Sequence, residues 1–158
     1  MLLSNKKLFA SLLVLASFIT GCETIDVFEK NVRIPNQEWS NAFKPEITFD
    51  ISDTTSLYNI YVVLRHTDAY RYKNIYLNIY TRLPDDSMLR QRVDLQLATD
   101  DKGWLGSGMD DIFEHRIRIT QGRFQRAGRY KFKLEQIMRE EPLQHVMNVG
   151  IRVEKVKE

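Results

Sequence analysis

Residues 88–97 read MLRQRVDLQL. Leu89, Gln91, Val93, Leu95 and Leu97 fall on one side of an extended chain, and Arg90, Arg92, Asp94 and Gln96 on the other. Successive side chains of a strand point to opposite faces, so a two-residue period with charges on one side describes a strand with one face on a core and one in water. This is the cleanest such stretch in the chain, and its neighbours repeat it. Ile47, Phe49 and Ile51 alternate with Glu46, Thr48 and Asp50, and Ile60, Val62 and Leu64 with Tyr61, Val63 and Arg65. Ile75, Leu77 and Ile79 alternate with Tyr76, Asn78 and Tyr80, and Phe113, His115, Ile117 and Ile119 with Glu114, Arg116 and Arg118. Tyr130, Phe132 and Leu134 oppose Lys131 and Lys133, and Met147, Val149, Ile151 and Val153 oppose Asn148, Arg152 and Glu154.

Turn residues separate these runs: Asp53-Thr54-Thr55-Ser56, Pro84-Asp85-Asp86-Ser87, Asp100-Asp101-Lys102-Gly103, Ala127-Gly128 and Glu141-Pro142. About seven or eight strands joined this way, without a helical period, predict an all-β fold. The expected form is a single antiparallel β-sandwich of jelly-roll type spanning residues 32–158. Val32 to Pro35 reads as a first edge strand, and 36–45, with Trp39 and Phe43, as a loop over one edge. Glu135 to Glu141 allows a helical turn that Pro142 would end.

Ahead of this domain stands MLLSNKKLFASLLVLASFITGC, residues 1–22. Lys6 and Lys7 precede an apolar run from Leu8 to Ile19, and Thr20 and Gly21 lead to Cys22. A positive region, a short apolar region and small exit residues make a secretory signal. The run is shorter than the roughly 20 apolar residues of a membrane span. Ile19-Thr20-Gly21-Cys22 resembles the bacterial lipobox, which implies cleavage before Cys22, a diacylglycerol on its sulfur and an acylated amine. Residues 22–31 are then expected to be a lipidated tether.

Removing residues 1–21 takes away Lys6 and Lys7 and no acid, so the 23 basic residues become 21 against 21 acidic ones. A neutral chain with interspersed charges argues against a nucleic-acid groove and a polybasic lipid patch. Attachment would come from the acyl chains, at about 0.8 kcal/mol per buried methylene. Cys22 is the single cysteine. Once lipidated it leaves no thiol for a disulfide, a nucleophile or a thiolate metal site. The roughly 135 remaining residues suffice for one domain stabilised by its core alone.

Three stretches carry more than composition: YVVLRHTDAYRYKNIYL (61–77), GWLGSGMDDI (103–112) and FQRAGRYKFKLEQIMR (124–139), the last followed by VGIRVE (149–154). In that order, behind a lipobox, they resemble the gliding-motility lipoprotein H (GldH) family of Bacteroidota. The resemblance implies an envelope lipoprotein associated with gliding and the linked protein-secretion apparatus, and it carries over no catalytic residue. Glu23 stands where the inner-membrane retention signal of other bacteria has aspartate. The expected place is the outer membrane, facing the periplasm.

The remaining clusters each admit two readings. His66 and Asp68, two apart at a strand end, suit an acid–base or metal pair; equally, Thr67 and Asp68 order a turn while His66 caps the strand. His66, His115 and His145 stand in different segments, none at metal-ligand spacing. Asp100, Asp101, Asp110 and Asp111 around Gly103, Gly106 and Gly108 have the ingredients of a calcium loop and also those of plain turns. Ser107 lacks the nucleophile-elbow context. Tyr58, Tyr61, Tyr70, Tyr72, Tyr76, Tyr80 and Trp104 suit sugar stacking, or simply a pleated half-buried surface. The reading adopted is a non-enzymatic, cofactor-free docking protein that touches envelope partners through loops 66–74 and 103–111. Its candidate contact residues are His66, Asp68, Tyr70, Tyr72, Trp104 and Asp110. A glycan-binding module using the aromatics is the alternative.

Overall fold

The structure, a computed structural model, describes residues 27–157. Cys22 and the signal segment lie outside these residues. Every two-residue period noted above forms a strand: β1 (Val27–Arg33), β2 (Glu38–Trp39), β3 (Glu46–Ile51), β4 (Tyr58–Thr67), β5 (Asn74–Arg82), β6 (Met88–Gln96), β7 (Ala98–Thr99), β8 (Gly103–Trp104), β9 (Ser107–Met109), β10 (Ile112–Gly122), β11 (Gly128–Gln136), β12 (Leu143–Gln144) and β13 (Val146–Lys155). One sheet has the order β1-β13-β4-β10-β9 and the other β3-β11-β5-β6, with β2-β12 and β7-β8 as short ribbons. All pairings are antiparallel. Taken in chain order, the long strands interleave between the sheets as a jelly roll does.

The core lies between the sheets. Val62, Leu64, Val149 and Ile151 from one sheet meet Ile47, Ile75, Leu77, Ile79 and Leu134 from the other, all essentially without solvent contact. Phe49 stacks on Tyr130 and Phe132 and meets Phe28 of β1 at 5.4 Å, which closes the β1/β3 margin. The opposite margin, between β6 and β10, is more open.

Four local expectations need correction. The tether is shorter than 22–31, because Val27 to Asn31 pair with β13 over their whole length. Leu89 has the inward phase but is 60% exposed. Its strand forms the sheet margin, and burial begins only at Val93 and Leu95. A register shift between Val146 and Asn148 moves the inward position from Met147 to Val146. Residues 135–141 contain no helix: β11 continues to Gln136, and a cis peptide joins Glu141 to Pro142. Segment 36–45 does cover an edge, but it drives Trp39 into the core, where the indole N–H donates to the Phe43 carbonyl.

The register gives the sandwich two distinct ends. Val27 pairs with Glu154, and Tyr58 with Lys155 and Gly122, at one end, which Ile51, Gly128, Arg82 and Met88 share. Arg33 faces Asn148, His66 faces Val146 and Ile112 faces Thr67 at the other. Between them β4 runs ten residues, about 30 Å.

Candidate functional site

The first two of the sequence stretches that carried the resemblance, 61–77 and 103–112, meet at the second end. β4 puts His66 in the inward phase that Ile60, Val62 and Leu64 set, and β10 does the same for His115 after Phe113. Since His66 pairs with Phe113 and Leu64 with His115, the two imidazoles are diagonal neighbours on one inner face. Their Nε2 atoms are 2.9 Å apart, and His66 Nδ1 is 2.8 Å from the Thr67 carbonyl. That carbonyl only accepts, so Nδ1 of His66 carries the proton, its Nε2 accepts, and His115 Nε2–H donates. Both rings are neutral in this arrangement. Burial lowers the pKa of His66, and burial together with His66 lowers that of His115 to about 4.

Trp104 forms the roof of this pair. Its ring centroid lies 4.4 Å from that of His66 and 5.7 Å from Phe113, and its indole N–H donates to Asp68 Oδ1 at 2.8 Å. The Asp68 N–H donates to the Asp111 carbonyl, tying the β4–β5 loop to the β9–β10 turn. Gly106 lets the β8–β9 segment lie directly on β10. A Cβ there would stand 2.4 Å from the Glu114 carbonyl oxygen and 2.9 Å from His115 Cε1. Tyr70 is buried against His66, and its hydroxyl donates to the Asn74 carbonyl. Tyr72 meets Tyr70 edge-on at 5.7 Å.

The third stretch supplies a separate polar lattice. Gln136, fully buried, donates to the Trp39 carbonyl and the Glu141 carboxylate and accepts from the Met138 N–H. On the outer face of the four-stranded sheet, Glu135 takes an ion pair from Lys44 and hydrogen bonds from Asn78 and Tyr80, which hold its carboxyl at about 2.

The candidate residues thus divide. His66, Tyr70 and most of Trp104 are scaffold, enclosed where no partner can reach, so His66 neither caps the strand nor offers a metal pair with Asp68. Asp68 and Asp110 are exposed. Trp104 is half-buried against His66, and Arg92 and Arg90 lie over the rings of Tyr76 and Tyr80 at 5.4 and 5.6 Å. The aspartates do not gather: Asp100 pairs with Lys73, whereas Asp110 and Asp111 form the β9–β10 turn. Among the described residues no group of three or more His, Cys, Asp or Glu is placed to hold a metal.

What the sequence reading missed was His115. Its signal was present, since a histidine in an otherwise apolar phase opposite another such histidine needs a polar partner inside the core. Also missed was the apolar tip, where Met109, 79% exposed, faces Ile112 across the β9–β10 turn, flanked by Asp110 and Asp111.

The model of a family described as GldH lipoprotein matches residues 26–153. The chain belongs to that family. Two relatives carry matching names: a gliding motility lipoprotein GldH of Flavobacterium johnsoniae, 27% identical over 90% of this chain and 93% of its own, and a homologue from Christiangramia forsetii, 24% identical over 86% and 88%. The family match thus begins one residue before β1 and ends within β13. Among solved structures, a family 35 carbohydrate-binding module from Clostridium thermocellum is similar over 81% of this chain and 91% of its own, at 12% identity and a TM-score of 0.38. The VP2 protein of infectious bursal disease virus is similar over 82% of this chain and 32% of its own, at 12% identity and a TM-score of 0.34. Both scores are too low to support a functional argument.

Proposed function

We propose that the protein is a non-enzymatic accessory component of a gliding-motility or linked secretion assembly, held by acylated Cys22 at the outer membrane on its periplasmic side. In this reading the sandwich is a rigid spacer. The end where β1 begins stays near the anchor, and the loops of the far end are offered to an envelope protein partner.

One observation carries the reading. The polar and aromatic residues of the far end are spent on holding loops in place rather than on a reactive centre. Trp104, Asp68, His66 and His115 fix segments 66–74 and 103–111, and their outer rim exposes Met109, Ile112, Asp68, Asp110 and Asp111. Apolar side chains ringed by charge on a rigid loop are what protein interfaces use. Asp110 and Asp111 form no salt bridge among the described residues, so a partner with Lys or Arg around an apolar centre would complement them.

The test is crosslinking in intact envelopes and recovery in mild detergent, with Cys22→Ala and Met109→Asp/Ile112→Asp variants alongside. A defined envelope protein recovered with wild type and lost with both variants is the expected result. Recovery that survives the tip substitutions would move the contact elsewhere on the domain.

A further inference from the structure

We propose that the end of the sandwich where β1 begins lies against the lipid surface, with Met88 and Leu89 seated at headgroup depth as a second membrane contact beside acylated Cys22. This rests on the anchoring reading above. Cys22 and Val27 are five positions apart, and even a fully extended chain covers only about 17 Å over that span. The start of β1 is therefore held within one short tether of the bilayer. The His66–Trp104 cluster stands farther off by the length of β4, about 30 Å.

The surface of the anchor end fits this placement. Met88 and Leu89 open β6 and are 57% and 60% exposed, although Met88 pairs with Arg82 and Leu89 with Thr81 in regular register. Leu89 walls an open groove of about 440 Å³ between β6 and β10, lined also by Ile60, Leu83, Ile119 and Phe124. Arg123, on the same groove, donates its Nε–H to the Thr55 carbonyl and forms no salt bridge among the described residues, leaving its charge for a phosphate. An apolar groove with an arginine on its wall has the chemistry of an acyl chain under an anionic headgroup.

Depth is limited by backbone chemistry. Among the described residues, the outer edge of β6, and of β10 beyond its short pairing with β9, carries no partner strand. Such groups cannot enter hydrocarbon, where nothing hydrogen-bonds them. The contact is thus interfacial, as for amphipathic surface elements. Val27 belongs to the β1/β3 margin and Met88 to the opposite one. Two contacts at opposite corners of one end fix the tilt of the domain, which a single flexible tether would not.

Acylation consumes the only native thiol, so one introduced cysteine takes an environment-sensitive probe uniquely. The acylated full-length protein is reconstituted into vesicles of phosphatidylethanolamine with a minority of phosphatidylglycerol. Leu89→Cys and Met109→Cys are labelled in parallel and quenched by lipids with a spin label near the headgroup; Met88→Cys is the second probe should Leu89→Cys fold poorly. The expected result is a blue-shifted probe at position 89, quenched several-fold more than the one at 109. Equal quenching at both sites in protein that floats with the vesicles overturns the proposal and leaves the anchor intact. Failure to float removes the anchor reading and the proposal with it. Lipid quenching absent in vesicles, with the probe at 89 shielded only in native envelopes, assigns the patch to a protein and also overturns the proposal.

Discussion

Nε2 of His66 and Nε2 of His115, contributed by strands 49 residues apart in the chain, share one proton across 2.9 Å in the core. The pair needs His66 Nε2 unprotonated, because a proton there would set two donors face to face beneath Trp104, while one on His115 Nδ1 would charge a buried ring.

Stability should accordingly depend on pH above the range where carboxylates titrate. An unfolded histidine titrates near about 6.5, whereas burial depresses both of these in the folded state, His115 to about 4. Below pH 6.5 the unfolded chain binds more protons than the native one, so stability rises with pH through this window. It is complete above about 6.5 and lost as pH falls toward 4. Thermal unfolding between pH 7 and 5 should show a loss on the order of 1–3 kcal/mol. His115→Gln keeps a donor for His66 and should flatten that limb; an unchanged slope would show that other groups cause it.

Asp68→Ala should release Trp104 without unfolding the sandwich. The exposed carboxylate accepts the indole N–H at 2.8 Å, and losing a hydrogen bond to a charged group costs about 1.5–3 kcal/mol at most, less where water can substitute. The expected signs are a red shift of tryptophan emission and greater acrylamide quenching, while Trp39 stays protected. Asp68→Asn, which retains an oxygen acceptor, should fall between the two.

Gly150 is the tightest approach in the five-stranded sheet. An added Cβ would lie 1.9 Å from Asn31 Oδ1 and 2.4 Å from the Lys30 carbonyl oxygen. The side chain of Asn31 can turn away; the backbone of β1 cannot. Gly150→Ala should therefore push β1 off β13 and cost about 2–3 kcal/mol. Asn31→Ala in the same chain should relieve only part of the loss. Urea midpoints of wild type, Gly150→Ala and the double variant test this.

Gln136→Ala should be among the costlier single changes outside the apolar core. It strips the donor from the buried Trp39 carbonyl and from Glu141, whose carboxylate also takes Ser40 and the Asn41 N–H. Leaving a buried acceptor unmet costs about 1–3 kcal/mol. Lys44→Ala, which removes a solvent-exposed ion pair to Glu135, should cost clearly less, since water and salt screen such pairs. Equal losses for the two would contradict this ordering.

The fold was legible because two-residue alternation is a local property. Each long strand except β1 could be found from its own residues, and the positions of Ile75, Leu77 and Ile79 in the core follow from the pattern alone. Positions decided by a neighbouring strand were not. Leu89 has the same alternation as Leu95 and differs in exposure because β6 is a margin at one end and covered at the other. Met147 lost its inward place to a register shift opposite β4. In the candidate site, Asp68 and Trp104 were singled out separately, but nothing local says that one bonds the other. His66 and His115 met only once β4 and β10 were known to be adjacent.

The strand nearest the anchor has one long partner, and that partner is the last strand. Glu29 reaches Arg152 across 123 residues of sequence, and β1 pairs in its sheet with β13 alone. Contacts so distant along the chain form late and slowly. Pairing of β1 therefore waits until β13 is available, so the five-stranded sheet closes only after the strands between them have formed.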